Sequence, residues 1–184
     1  LKKFKNALPN ILTFINLSLG VIAILFAVND STGYDNLIYA SLLIIIAALT
    51  DRFDGKVARM LNATSDLGKE LDSLSDLISF GLAPTIIAWK VTFISYGIPG
   101  YLISLIFPIA GAYRLARYNV TPFNNVFSGL PITIAGAFLT VDNLYNCFTL
   151  MTNRFNPVIN TSITVVLILL MSFLMISKIK LRKV

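Results

Sequence analysis

Six long apolar runs constrain this chain more than any other feature. They extend from about Pro9 to Val28, from Leu37 through Thr50, and from Leu77 to about Tyr96. The others run from Gly100 to Tyr118, from Leu130 to Met151 and from Val158 to Ile179. A helix crossing a bilayer needs about 20 predominantly apolar residues, so each run is long enough to span. No water is available inside a bilayer to satisfy backbone groups, so such runs must be helical or belong to a closed barrel. The sequence therefore predicts an all-α polytopic membrane protein with six transmembrane helices. The second run is expected to continue as a polar helix to about Leu61, and the third helix to start near Glu70. Connections are short and no stretch reads as a linker or repeat, so residues 1–184 are expected to form a single integral membrane domain. The first run follows Lys2, Lys3 and Lys5, as a secretory leader would. It lacks a small-x-small cleavage pattern and is long enough to span, so it is expected to be retained.

Composition narrows the chemistry. Charged residues make up 13% of the chain, against about 25% in a soluble domain, and mean hydropathy is +0.77. Such a chain is too apolar for disorder. Cys147 is the only cysteine, which excludes an internal disulfide, and the chain has no histidine. The missing imidazole excludes a Ser-His-Asp triad, a Cys-His pair and histidine-ligated zinc. The net charge of +6 points to a bilayer as partner and not to nucleic acid, given the apolar excess. The cations also set an orientation. Lys2, Lys3, Lys5, Arg52, Lys56, Arg59, Lys69, Arg114, Arg117, Lys178, Lys180, Arg182 and Lys183 fall on one side of the six runs, thirteen of the fifteen. Only Lys90 and Arg154 fall on the other. The positive-inside rule makes the basic side cytoplasmic, with both termini there, in the cell membrane.

The acids are concentrated. Asp51, Asp54, Asp66, Glu70, Asp72 and Asp76 occupy one 26-residue window. On helices, Asp51 and Asp54 share a face at i,i+3, and Asp72 and Asp76 share one at i,i+4. A hairpin through Asn62 to Gly68, rich in turn-forming residue types, brings the two faces together at the cytoplasmic edge. Carboxylates gathered there repel one another and are costly near lipid. A hard divalent cation such as Mg²⁺, Mn²⁺ or Ca²⁺ offsets that charge. Lys56, Arg59 and Lys69 are placed to meet a phosphorylated ligand, and Gly55, Ala58 and Gly68 let a ligand approach the backbone.

The string Asp51-x2-Asp54-Gly55-x2-Ala58-Arg59-x8-Gly68-x3-Asp72-x3-Asp76 resembles the signature of the CDP-alcohol phosphatidyltransferase family at every fixed position. The resemblance implies a metal-dependent displacement at phosphorus, in which a CDP-linked lipid gives its phosphatidyl group to an alcohol and CMP leaves. It implies Asp51, Asp54, Asp72 and Asp76 as metal-site carboxylates, with one or two Mg or Mn ions, and Asp76 as general base. It implies Asp54, Gly55, Ala58, Arg59 and Gly68 as contacts to the CDP-lipid, and a homodimer as the assembly. With no histidine present, an aspartate is the nearly forced base. The stretches Leu71–Pro84, Tyr113–Asn119 and Phe127–Pro131 resemble the serine-using branch of the family. They imply CDP-diacylglycerol and L-serine as substrates.

Arg114 and Arg117 lie three apart, near one helical face at the cytoplasmic level. With Lys56 they are candidates for holding the serine carboxylate or a phosphate, because a guanidinium grips such groups in a fork. Positive-inside anchoring explains the two arginines equally well. Asn119 and Ser128 are weaker candidates. Cys147 reads as a small core residue, and Trp89 with Lys90 as an interfacial anchor. Gly20 with Gly33, and Gly111 with Gly136, are candidates for close helix approach. Another acceptor, such as glycerol 3-phosphate or an inositol phosphate, fits the same core motif. A membrane cation transporter is the alternative of a different class, and it requires acids near the bilayer midplane on several helices.

Overall fold

The computed structural model describes residues 2–29, 33–61, 65–120, 127–178 and 180–181, with side chains described at 10–29, 33–53, 65–120 and 129–178. Among these residues the fold is helical. It comprises α1 (Lys2–Val28), α2 (Asp35–Leu61), α3 (Asp66–Tyr96), α4 (Ile98–Val120), α5 (Ile132–Met151) and α6 (Pro157–Ile176). A two-residue antiparallel ladder joins β1 (Phe127–Ser128) to β2 (Lys180–Leu181). The six apolar runs thus become six helices. The lysines before the first run are already part of α1, and α3 starts four residues earlier than expected, at Asp66.

Five of the helices, α1 to α4 and α6, are long and apolar enough to cross a membrane. The shortfall in α5, despite its 20 residues, comes from Asp142, Asn143 and Asn146, which dilute its apolar character. These side chains turn inward. Asn146 Nδ2 donates to Asp142 Oδ2 and to Thr164 Oγ1, both at 3.1 Å, and Thr164 Oγ1 donates to Asp142 Oδ2 at 2.6 Å. Asn160 Nδ2 donates to Asn146 Oδ1 at 2.8 Å and Thr149 Oγ1 at 3.3 Å. The network sews α5 to α6 where the apolar effect alone gives helices no reason to associate.

Small residues set the remaining contacts. Ala23 and Ala27 of α1 and Ala40 and Ala47 of α2 are fully or almost fully buried, so the two backbones pack closely along an antiparallel hairpin. The glycines singled out from sequence do not meet one another. A Cβ at Gly20 would strike Ser79, one at Gly111 would strike Ile132, and one at Gly136 would strike the Phe80 carbonyl. Gly33, at φ 62, serves the α1–α2 turn instead.

Helix ends are well specified. Asn153 adopts φ 55 after α5. Its N–H donates to Leu150 O and the next N–H to Thr149 O at 2.8 Å, the double bond of a Schellman termination. Asn156 Oδ1 then accepts from Val158 and Ile159 N–H, with Pro157 in the first turn of α6.

α3 is the central helix. Its apolar stretch is 56% buried inside the bundle, against 28% for α1. It is not a uniform α-helix, since Leu77–Leu82 and Trp89–Phe93 form wide π turns. The first closes with Ala83 N–H donating to Ile78 O, five residues back, immediately before Pro84. Proline has no N–H and its ring crowds the carbonyl four residues earlier, so a wide turn there removes the clash. Asn143 Nδ2 binds the Pro84 carbonyl at 2.8 Å and ties α5 to this point. Trp89 packs into the bundle and stacks on Tyr101 at 5.7 Å. Cys147 is fully buried, as a core residue.

Candidate active site

The local fold places the acids. Ser65 caps α3, its Oγ accepting from Gly68 N–H at 3.0 Å, with Asp66 in the first turn. Gly68 is therefore inside the helix, not in the turn before it, and a Cβ there would lie 3.2 Å from Asn10 Oδ1 of α1. One face of α3 docks on α1: Ser75 Oγ donates to Thr13 O at 3.2 Å and Ser79 Oγ to Asn16 O at 3.0 Å. Asp72 and Asp76 lie about 60° and about 100° around the helix from Ser75, on the side that meets α2.

There they meet Asp51. Each of Asp51, Asp72 and Asp76 presents a carboxylate oxygen within 4.8 Å of the others, and all three residues are half-buried. Asp51 and Asp76 are within side-chain hydrogen-bonding reach of each other. Any two oxygens bound to one cation at about 2.1–2.4 Å lie no more than about 4.2–4.8 Å apart. The donor set is also purely carboxylate, the chemistry a hard divalent ion selects. The cluster therefore fits a divalent metal ion on both size and ligand type.

The other expected site residues divide into two groups. Asp54, Gly55, Lys56, Ala58 and Arg59 fall in the last turns of α2, and their side chains lie outside the described residues. Arg114 and Arg117 are placed apart despite sharing a helix. Arg114 is buried, at 8% exposure, and within electrostatic reach of Asp76. Its Nε is buried without a hydrogen-bond partner among the described residues. Arg117 faces the end of α6. Its Nη1 donates to Ile176 O at 2.7 Å, and its Nη2 reaches Met175 O and Ser177 O at 3.4 Å. Ser177 N–H takes Phe173 O, and Leu130 N–H takes Leu174 O. All four terminal carbonyls of α6 are thereby satisfied, by α4, by the segment leading into α5 and by the residue after α6 itself. Asn119 is also engaged, donating to Glu70 Oε2 at 3.2 Å and Ser73 Oγ at 3.1 Å. Ser128 is outside the described side chains.

One residue of the site escaped sequence reasoning. Thr133 Oγ1 donates to Asp51 Oδ2 at 3.5 Å. It is the second residue of α5, so Asp51 also meets the positive end of a helix dipole. A lone threonine 57 positions beyond Asp76, in an apolar run, carries no signal that would have flagged it.

A family model described as CDP-alcohol phosphatidyltransferase matches residues 6–181. The chain belongs to the CDP-alcohol phosphatidyltransferase family. Within it, the chain is 36% identical over 176 residues to the CDP-diacylglycerol–serine O-phosphatidyltransferase of Bacillus subtilis, covering 95% of this chain and 89% of that protein. The enzyme of the same name from Helicobacter pylori is 36% identical over 147 residues, 75% of this chain and 59% of that protein. The archaetidylserine synthase of Methanothermobacter thermautotrophicus is 35% identical over 142 residues, 76% of this chain and 58% of that protein. All three names carry serine, two with CDP-diacylglycerol and one with an archaetidyl lipid.

Proposed function

We propose that this protein transfers the phosphatidyl group of CDP-diacylglycerol to L-serine, giving phosphatidylserine and CMP. The observation that carries the chemistry is the meeting of Asp51, Asp72 and Asp76 from two helices within 4.8 Å. The serine-named relatives supply the acceptor.

In this reading Asp51, Asp72 and Asp76, with Asp54, hold one or two Mg²⁺ or Mn²⁺ ions. The bound metal supplies positive charge to the diphosphate and to the departing CMP. Asp76 takes the proton of the serine hydroxyl as its oxygen attacks the phosphorus bearing the diacylglycerol. The bond from that phosphorus to the CMP oxygen breaks, and CMP leaves with the oxygen. Arg114, buried beside Asp76 with an unused Nε–H, holds an anionic group of the substrates, and the serine carboxylate is our assignment. Gly55, Ala58, Arg59 and Gly68 line the CDP moiety, and Lys56 adds positive charge to the approach. Arg117 contributes by holding the end of α6.

All six helices span the membrane in this reading, α5 included, because its polar side chains are paired within the bundle. Both termini and the site then lie on the cytoplasmic side, where thirteen of the fifteen cations fall. The assembly is a homodimer. The test is CMP release from CDP-diacylglycerol by the purified protein against a panel of alcohols. Serine-dependent release is expected. Release with glycerol 3-phosphate or an inositol phosphate, and none with serine, overturns the assignment.

A further inference from the structure

We infer that Thr133 is a positioning residue for the metal-binding carboxylates, holding Asp51 so that one of its oxygens faces the ion. The inference rests on the metal reading above. Asp51 is the only α2 carboxylate among the described members of the cluster. A carboxylate with one oxygen on a cation rotates freely unless the other is held, and outer-sphere hydrogen bonds commonly do the holding. Thr133 Oγ1 on Asp51 Oδ2 is such a bond.

The fold fixes Thr133 from three directions. Leu130 N–H is bound to Leu174 O at 3.1 Å. Gly129, at φ 84, lies under the end of α6, where a Cβ would collide with the Met175 carbonyl and sit 3.3 Å from Arg117 Nη2. Ile132, fully buried, pushes its Cδ1 against Gly111 of α4 and Gly81 of α3. The residue before Thr133 is thus locked between two helices, and the segment before that is locked to a third. Threonine adds its own stiffness, since branching at Cβ limits χ1. A hydroxyl on so constrained a backbone has few directions to point.

The test is Mn²⁺ binding to the detergent-purified protein without substrates, followed by electron paramagnetic resonance. Thr133→Val removes the hydroxyl and preserves shape. Outer-sphere changes typically weaken metal binding about 10- to 100-fold, and the 3.5 Å contact argues for the lower end, about tenfold. Thr133→Ser should stay within about threefold of the parent. In turnover assays the Mn²⁺ requirement of Thr133→Val should rise while the serine KM and the kcat at saturating metal hold. Thr133→Ala gives the same readout if the valine variant does not fold. Mn²⁺ binding by Thr133→Val or Thr133→Ala within twofold of the parent overturns the inference. A parent protein that binds no Mn²⁺ overturns the metal reading itself.

Discussion

Two groups of buried polar side chains lie in this bundle, and they solve the same physical problem in opposite ways. Between α5 and α6, Asp142 faces neutral donors: Asn146 and Thr164 both bind its Oδ2, and Asn160 completes the chain. Its charge is answered inside the protein. Between α2 and α3, Asp51, Asp72 and Asp76 face one another, with Thr133 donating to Asp51 and the buried Arg114 within electrostatic reach of Asp76. One cation beside three carboxylates leaves negative charge that calls for a further partner. An acid satisfied by its neighbours is scaffold, and acids that converge on each other make a binding site. Burial and residue type are nearly the same in the two places. What separates them is the sign of what each carboxylate sees.

That contrast can be broken or sharpened by experiment. The largest effect should come from chelation, which abolishes CMP release, with Mg²⁺ or Mn²⁺ restoring it. Full turnover in chelator would make the α2–α3 cluster another scaffold. Asp76→Asn should fold and still bind some metal, yet lose about 10²- to 10⁴-fold in kcat, the usual contribution of a general base. Near-parental turnover would remove Asp76 from that role. Arg114→Gln should raise the serine KM by about 10- to 100-fold, as expected for a lost charge-assisted hydrogen bond. A rise confined to the CDP-diacylglycerol KM would move Arg114 to the donor phosphates. Asp142→Asn should show the smallest functional effect, with turnover per folded molecule within about threefold of the parent. Its effect should fall on stability, about 1–3 kcal/mol in detergent unfolding. A large loss of turnover at unchanged stability would mean that the α5–α6 network does more than hold two helices.

Much of this was legible from the residues. The six helices follow from apolar length, because a bilayer permits little else. The acidic faces follow from i,i+3 and i,i+4 spacing on α2 and α3. What escaped was set by tertiary proximity. Arg114 and Arg117 look equivalent in sequence, yet one is buried beside Asp76 and the other closes α6, because an offset of about 60° and about 4.5 Å along the helix is enough to give them different neighbours. The glycines found partners on helices that spacing alone does not pair, Ser79 for Gly20 and Ile132 for Gly111. Thr133 matters only because Gly129 and Leu130 are pinned by the end of α6 and Ile132 is pinned between α3 and α4. The run from Leu130 to Met151 reads as a plain apolar span, and the pairing of Asp142, Asn143 and Asn146 within it is set by tertiary contacts.

The wide turn at Leu77–Leu82 has a consequence for how α3 can change. It divides the helix into an acidic upper segment and a packed lower one, joined by a turn that already carries about one residue more than an α-helical turn does. Converting that turn to ordinary α-helical winding with every residue kept would swing Asp72 and Asp76 by about 100° relative to Ile87 and Phe93, whereas removing one residue at the same time would leave the two segments in phase. In the first case the carboxylates turn away from Asp51, and in the second they still face it. The spacing from Asp76 to Pro84 therefore works as a phase setting, in which winding and residue number can change only together.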